Sequence, residues 1–351
     1  MADSDIARPT AGVGRGSTIH LFPGQGDFSL AALQAVLPRA PLLRAAVAEV
    51  FTEADPVGGE FGVSPLGPRL LGRAPPSSRE LAEEAVGTVQ FALYGVSLAI
   101  HHALSRSGRP PDGLLAVSFG EIAALVAAGS LPVADGARLA CRLGLLLHGT
   151  GGGMTLLQAS VQRAQALLCA AAAPEIVLAC VNDAREVVIS GPLGPLREVE
   201  QAAERAGLRA QRLRLPFLAH HPRLRRQAET FTAFARALPL QPPRLPVYSA
   251  VTGAEHTDRT DLAQVLGRCL TDPADLPAAL RLATRPPPGQ PTTGPPPVVP
   301  VFLEAGTGQA LTTSVRRQLP AAQAWAPLAD RTFPWPDRLP APIRARPQVR
   351  S

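Results

Sequence analysis

The sequence predicts an α/β fold, in which a large domain built on a parallel sheet is interrupted by a small subdomain. Three observations favour this fold. Apolar, strand-like runs alternate with long amphipathic segments over residues 17–150, which is typical of a parallel sheet. A serine at position 118 separates one such strand from the next helix, and the order of elements changes after Gly151. With 46% hydrophobic residues among 351, the chain can bury the core of two domains.

The first elements of the large domain follow in order along the chain. Residues 17–26 (STIHLFPGQG) predict a buried strand that enters a glycine-rich turn. Residues 80–107 keep their apolar residues three and four positions apart, so they predict one long helix. A strand over 114–117 comes next, and a further helix is predicted over 134–148.

The stretch 114–129 (LLAVSFGEIAALVAAG) predicts a strand, a sharp turn and a helix, with Ser118 at the turn. This is the layout of a nucleophile elbow, which makes the large domain α/β-hydrolase-like. The small residues Ala116 and Gly120 allow a tight turn, and the helix directs its N-terminal amides toward a negative charge beside the serine. Because A-V-S-F-G departs from G-x-S-x-G, a purely structural turn stays open on this motif alone.

The order of elements changes at Gly151. Residues 151–213 predict a strand, a helix, two strands, a helix and a strand. This βαββαβ order is the ferredoxin-like pattern. We therefore expect a small ferredoxin-like subdomain over 151–213, inserted into a large domain that comprises 17–150 and 214–334.

The remaining elements return to the large domain, with a helix predicted over 222–237 and strands over 245–253 and 299–306. Three segments rich in proline, glycine or arginine predict no regular structure. They are a disordered lead-in over 1–16, a loop over 285–298 and a disordered tail over 335–351.

Charge and composition exclude several classes of partner. All 34 basic residues are arginines, and 28 acidic residues leave a net charge of +6. Scattered, solvated arginines explain this charge, and a basic patch that docks an acidic partner is the alternative. We do not expect nucleic acid binding, because aromatic residues are only 4% and do not alternate with arginine runs.

Membrane insertion, export and metal binding are not expected either. No apolar run reaches the ~18 residues that a membrane span requires. The first residues lack the basic-then-apolar order of a signal peptide, so we expect a cytoplasmic protein. The four cysteines show no C-x-x-C spacing, so no metal site is expected.

A nucleophilic serine needs a base, and the pair His220–His221 lies where a strand gives way to a helix. The motifs that accompany this pair are more specific than the pair itself. In chain order they are F-P-G-Q-G, T-V-Q-F-A, S-F-G-E-I-A-A-L-V-A-A-G, V-N-D-A-R-E-V-V-I-S-G, A-H-H-P, P-V-Y-S-A-V-T-G and L-E-A-G-T-G-Q-A-L-T. Over residues 17–330 they resemble the malonyl-CoA:acyl-carrier-protein transacylases and the acyltransferase domains of polyketide synthases.

The resemblance implies a role for five residues. Ser118 would be the acylated nucleophile and His220 its general base, since A-H-H-P matches the family's F-H-S-P. The backbone amides of Gln25 and Phe119 would form the oxyanion hole. Asp275 falls where the family holds the histidine through a backbone carbonyl.

The resemblance also implies a ping-pong reaction without a bound cofactor or metal. The serine would take an acyl group from a thioester of CoA or a carrier protein. The thiol of a phosphopantetheine arm would then take it from the serine. The implied partner is an acyl carrier protein, with a ketosynthase complex as a further one.

Three departures from the family concern the acyl group. Aligned on Gly144, the sequence has Leu143 where malonyl-using members keep an arginine that clamps the free carboxylate; a shifted register would place Arg142 there. Val117 stands where the family has a histidine. Phe217 begins F-L-A-H, which matches neither signature that separates malonyl from methylmalonyl readers. A malonyl carboxylate beside Leu143 would be buried unpaired, so we expect an uncharged acyl group.

The sequence therefore predicts an acyltransferase of antibiotic-type polyketide biosynthesis that moves a starter unit between CoA or carrier-protein thioesters. Two alternatives stay open. If water instead of a thiol reaches the acyl-serine, the same residues make an editing thioesterase that clears wrong starter groups from a carrier protein. The other alternative is a catalytically silent docking protein, against which the joint presence of Ser118, His220 and Gln25 argues.

Overall fold

The computed structural model of the protein describes residues 17–285 and 300–335. The predicted lead-in, all of the predicted proline-rich loop except Arg285, and all of the predicted tail except Trp335 lie outside these residues. Trp335 itself is buried, and its indole nitrogen Nε1 donates a hydrogen bond to the carbonyl of Pro327 (3.0 Å).

The described residues form eleven strands and thirteen helices. The strands are β1 (Thr18–Phe22), β2 (Gly113–Ala116), β3 (Gly153–Leu157), β4 (Val177–Asp183), β5 (Glu186–Gly191), β6 (Ala210–Arg212), β7 (Val247–Ser249), β8 (Ala254–Glu255), β9 (Ala274–Asp275), β10 (Val301–Glu304) and β11 (Ala324–Trp325). The helices are α1 (Leu30–Val36), α2 (Pro41–Glu60), α3 (Gly67–Leu70), α4 (Ser78–Ala82), α5 (Thr88–Arg106), α6 (Gly120–Ala127), α7 (Val133–Leu147), α8 (Val161–Ala170), α9 (Leu193–Arg205), α10 (Arg225–Arg236), α11 (Leu262–Thr271), α12 (Leu276–Ala283) and α13 (Ala310–Gln318).

The larger sheet has the strand order β11-β10-β1-β2-β7-β8. All of its neighbouring strands run parallel except β7 and the edge strand β8, which confirms the predicted parallel sheet. Phe22 at the end of β1 lies opposite Ala116 at the end of β2. The turns that follow these two strands therefore leave the same edge of the sheet.

The smaller sheet has the order β6-β3-β5-β4-β9. Its first four strands pair antiparallel, and α8 and α9 complete the βαββαβ order in the chain. This arrangement confirms the ferredoxin-like fold that the sequence predicted. The two-residue strand β9 was not predicted, and it joins this sheet from the later part of the chain by pairing parallel with β4.

The single helix expected over 80–107 is wrong, because α4 ends at Ala82 and α5 begins only at Thr88. Gly87 precedes α5 with a φ of +97°, a left-handed conformation that favours glycine. A Cβ atom at Gly87 would lie 3.2 Å from the carbonyl oxygen of Cys141 in α7. The break therefore depends on a contact with another helix, which apolar spacing cannot reveal.

The main apolar core draws its buried residues from β1, β2 and the helices α2, α5, α6 and α7. Phe22, Phe51, Phe91 and Tyr94 are its largest fully buried side chains from these elements. Within the two described ranges, no helix is both long and apolar enough to cross a bilayer.

Candidate active site

Ser118 lies in a sharp turn between β2 and α6, and its backbone φ is +56°. A left-handed backbone is strained for a residue other than glycine and costs about 1–3 kcal/mol. Gly120 makes the turn sterically feasible, because a Cβ atom there would lie 2.2 Å from the carbonyl oxygen of Phe22. The turn is also held by the Val117 amide, which donates to that same carbonyl (3.0 Å).

His220 meets Ser118 across the fold, with its Nε2 atom 2.7 Å from the serine Oγ. Its backbone is left-handed as well, with a φ of +53°. The other ring nitrogen, Nδ1, lies 2.5 Å from the carbonyl oxygen of Asp272. Since a carbonyl can only accept, Nδ1 carries the proton and Nε2 is left to accept from the serine hydroxyl.

The assignment of Asp275 as the residue that supports the histidine is wrong, because the supporting carbonyl belongs to Asp272. Asp275 lies in β9, where its backbone amide donates to Ala250 (2.7 Å), and its carboxylate caps α12 by accepting from the Ala278 amide (2.7 Å). Because Asp275 pairs with β4 as part of β9, the turn before β9, which contains Asp272, lies against the imidazole of His220.

The carboxylate of Asp272 accepts two hydrogen bonds. Arg268 Nε donates to one oxygen (2.6 Å), and the Thr271 hydroxyl donates to the other (2.8 Å). Burial lowers the pKa of His220 below its ordinary value of 6.5, and the carbonyl and charge of Asp272 oppose this shift. The net direction is downward, so His220 is neutral at neutral pH and can accept a proton.

Gln25 lies in a short 3₁₀ turn (Gln25–Asp27) that follows β1. The turn abuts the serine, since a Cβ atom at Gly24 would lie 3.6 Å from the Cβ atom of Ser118. The Gln25 side chain accepts a hydrogen bond from Gln90 Nε2 (2.8 Å). The backbone amides of Gln25 and Phe119 donate to no other residue within 17–285 and 300–335, so both can serve an oxyanion.

Asp27 anchors this turn to the start of α13. Its Oδ2 atom accepts from the amides of Gln309 (2.8 Å) and Ala310 (3.1 Å), and the Thr307 hydroxyl donates to its carbonyl (3.4 Å). Sequence reasoning missed Asp27 and Asp272. The signal for Asp27 was the joint presence of G-Q-G-D and G-T-G-Q-A, whereas no local pattern marks Asp272.

The three residues predicted to shape the acyl pocket are all buried and apolar. Leu143 is 4% exposed, Phe217 7% and Val117 8%. Leu143 and Phe217 belong to the same apolar core as Phe119, the residue after the serine, whereas Val117 belongs to a neighbouring core.

The two arginines of α7 differ in their partners. The Arg142 guanidinium lies over the ring of Phe234 in α10, 5.6 Å from its centroid. Arg138 pairs with Asp135 (2.8 Å) and Glu60 (3.1 Å). Arg142 Nε is buried and has no hydrogen-bond partner among the described residues, so only Arg138 is committed to acidic partners.

Comparison with known proteins gives one family and several relatives. A family model described as the acyl transferase domain matches residues 46–287. The spectinabilin polyketide synthase system protein NorB of Streptomyces orinoci is 32% identical over 257 residues, which cover 72% of this chain and 12% of that protein. Erythronolide synthase EryA3 of Saccharopolyspora erythraea is 30% identical over 73% of this chain and 8% of that protein. The chain thus spans only a small part of the length of these relatives.

Solved structures share the fold. The acyltransferase domain from the second module of the salinomycin polyketide synthase is 27% identical, with a TM-score of 0.69 over 89% of this chain and 68% of that one. The malonyl-transacylase of a complex with the type II polyketide synthase acyl-carrier protein AntF is 23% identical, with a TM-score of 0.71 over 88% and 94%.

Proposed function

Because this chain belongs to the acyl transferase domain family and is therefore an acyltransferase, we propose that it transfers an uncharged acyl group through Ser118. The contact that supports Ser118 as the nucleophile is the 2.7 Å separation between its Oγ atom and His220 Nε2. Both residues hold a strained left-handed backbone, which is typical of functional sites.

The proposed reaction has two matching halves. In the first, His220 Nε2 accepts the serine proton as Oγ attacks the thioester carbonyl, and the amides of Gln25 and Phe119 stabilise the oxyanion. The C–S bond then breaks, and His220 returns the proton to the leaving thiolate. In the second half, His220 deprotonates the incoming thiol, which attacks the acyl-serine and releases the free hydroxyl.

The proposal of an uncharged acyl group depends on Leu143. A buried leucine offers no partner to a malonyl carboxylate, Arg138 is paired with Asp135 and Glu60, and the Arg142 guanidinium lies over the ring of Phe234. Burying an unpaired carboxylate is costly, so a neutral acyl group is favoured. A neutral group suits the start of a polyketide chain, since extension by decarboxylation requires a carboxylated unit.

The proposed acceptor is the phosphopantetheine thiol of an acyl carrier protein. The complex of a related malonyl-transacylase with its carrier protein supports this class of partner. Polyketide synthases among the relatives support polyketide biosynthesis as the setting, and we propose transfer of a starter unit within it.

Intact-protein mass spectrometry after mixing with acetyl-, propionyl- or malonyl-CoA tests the proposal. We expect acetyl or propionyl groups on Ser118 and no malonyl group. The variant Leu143→Arg should gain malonyl labelling, with the malonyl-to-acetyl ratio raised on the order of 10–100-fold. Leu143→Met, which keeps an apolar side chain of similar volume, is the matched control and should keep the neutral preference. Efficient malonyl labelling of the unaltered protein would contradict the proposed specificity.

The fate of the label separates transfer from hydrolysis. With a holo carrier protein present, transfer moves the acyl mass from Ser118 to the carrier. Release of free acid at the same rate with and without the carrier would identify an editing thioesterase instead. No label with any of these thioesters would contradict the proposed acyl-enzyme.

A further inference from the structure

The positive charge of this protein is concentrated around His220. Residues 208–228 contain six arginines and no aspartate or glutamate. The whole chain has 34 basic and 28 acidic residues. Without the six arginines of this stretch, the basic and acidic residues are equal in number, at 28 each. The entire net charge of +6 thus equals the charge of one segment, whose arginines are Arg209, Arg212, Arg214, Arg223, Arg225 and Arg226.

Three of these arginines, Arg214, Arg225 and Arg226, form an exposed group that we call the basic rim. None of them makes an ion pair with another residue that the structure describes. In contrast, Arg212 pairs with Glu200 (2.7 Å) and Arg223 pairs with Glu175. Glu229 lies one turn further along α10 and pairs with none of these arginines, so all three guanidinium groups are unpaired within the described residues.

Both parts of the basic rim are adjacent in the chain to residues of the Ser118 site. Next to Arg214, the Leu213 side chain contacts the oxyanion turn, with its Cδ1 atom 3.8 Å from the position of a Cβ at Gly26. A single 3₁₀ turn (Pro222–Leu224) separates the histidine pair from Arg225 and Arg226.

The position of Arg225 and Arg226 is unfavourable for the isolated fold. They are the first two residues of α10, and its first turn contains no acidic residue. The N-terminus of a helix carries partial positive charge, so cations there reduce helix stability. An anionic partner would remove this repulsion. Arg225 lines a groove of about 510 Å³ between α10 and α11 together with Arg236 and Arg268, and the carboxylates of Glu229 and Asp272 line it as well.

We propose that the basic rim is the docking surface for an acidic carrier protein that delivers its phosphopantetheine thiol to Ser118. This inference rests on the proposed function. Arg225 and Arg226 begin α10, Arg214 lies in the irregular segment after β6, and all three are exposed, so they fit an extended acidic surface better than a single phosphate group. Such surfaces act mainly on the rate of association and on its salt dependence.

Charge reversal separates docking from chemistry. The triple variant Arg214→Glu, Arg225→Glu, Arg226→Glu is compared with Arg73→Glu, Arg259→Glu, which reverses two exposed arginines that also lack ion pairs within the described residues. We expect acylation of Ser118 by acetyl- or propionyl-CoA to stay within twofold in both variants. The KM for a holo type II polyketide carrier protein should rise at least about tenfold in the triple variant alone. Rising salt should slow transfer by the unaltered protein and have little effect on the triple variant.

Three results would overturn the proposal. The first is unchanged KM for the carrier protein in the triple variant. The second is loss of acylation by acyl-CoA that is restored with an acyl-pantetheine thioester, since the arginines would then bind the phosphates of CoA. The third is equal losses in the triple variant and its control.

A milder variant guards against misfolding. Arg225→Gln, Arg226→Gln removes cations from the start of α10, so its Tm should not fall. Its KM for the carrier protein should still rise, and an unchanged KM at unchanged Tm would contradict the docking surface. If no acyl-enzyme forms in the unaltered protein, calorimetric titration with the holo carrier protein tests docking separately, since the triple variant should bind it at least about tenfold more weakly.

Discussion

Ser118 and His220 both have a left-handed backbone, yet the regions that hold them differ in kind. Ser118 lies between a buried parallel strand and a buried helix, and the residues on both sides of it are apolar and buried. His220 lies in an irregular segment between β6 and α10. Its support comes from the carbonyl of Asp272, and the next residue, His221, donates from its amide to Leu270 (2.9 Å).

The difference shows which part of the site depends on regular structure. Sheet and helix fix the serine and the adjacent oxyanion turn, because both turns leave the same edge of the parallel sheet. The histidine depends on single contacts across the chain, and its segment carries the exposed arginines that we assign to a partner. Changes in the two regions should therefore have different consequences.

The largest expected effect comes from the reacting pair itself. Ser118→Ala should abolish the acyl-enzyme mass. His220→Ala keeps the nucleophile and should slow acylation about 100-fold to 10,000-fold, the range expected for a lost general base. Single-turnover mass spectrometry with acetyl- or propionyl-CoA measures both.

His221 provides the matched control for this pair. It is buried next to His220, but its ring contacts the Glu175 carbonyl (3.0 Å) and the Arg223 amide (3.1 Å), and not the serine. His221→Ala should cost about 1 kcal/mol of stability and leave acylation nearly unchanged. A loss of rate as large as that of His220→Ala would contradict the assignment of the base.

An intermediate effect is expected at the anchor of the oxyanion turn. Asp27→Ala releases the turn from α13, and acylation should slow about tenfold, since loss of a whole oxyanion donor costs about 100-fold to 1,000-fold. Asp261→Ala removes a comparable cap from α11, where Asp261 accepts from the Gln264 amide (3.0 Å), far from the turn in sequence. Both variants should lose about 1 kcal/mol of stability, and only Asp27→Ala should lose rate. Equal rates would mean that the anchor does not position the oxyanion hole.

The smallest effect concerns pH. Acylation needs neutral His220, so its rate should fall as pH drops through the lowered pKa of this imidazole, with a midpoint below 6.5. Asp272→Asn removes a charge that raises this pKa but keeps the carbonyl, so the midpoint should move to lower pH. Arg268→Gln frees that charge from its cation, so the midpoint should move to higher pH. The two variants should shift the midpoint in opposite directions, and parallel shifts would contradict the electrostatic coupling.

Several elements were predictable because their signals are local. The elbow at Ser118 follows from small residues around a serine between a strand and a helix. The alternating order of elements predicted both sheets. The break between α4 and α5 was not predictable, because Gly87 adopts its positive φ where the backbone of α7 comes close to it. The choice between Asp272 and Asp275 likewise depended on how β9 pairs with β4.

The sequence by itself determined the fold class, the serine turn and the candidate histidine. The spacing of apolar residues, the residue types at turns and the order of the motifs are all properties of neighbouring residues. Only the tertiary structure decided which carbonyl holds the histidine, how Asp27 ties the oxyanion turn to a helix 282 residues away, and where the excess arginines stand. These features are contacts between distant parts of the chain. Their geometry is set by the packing of the two sheets and their helices, which no local pattern encodes.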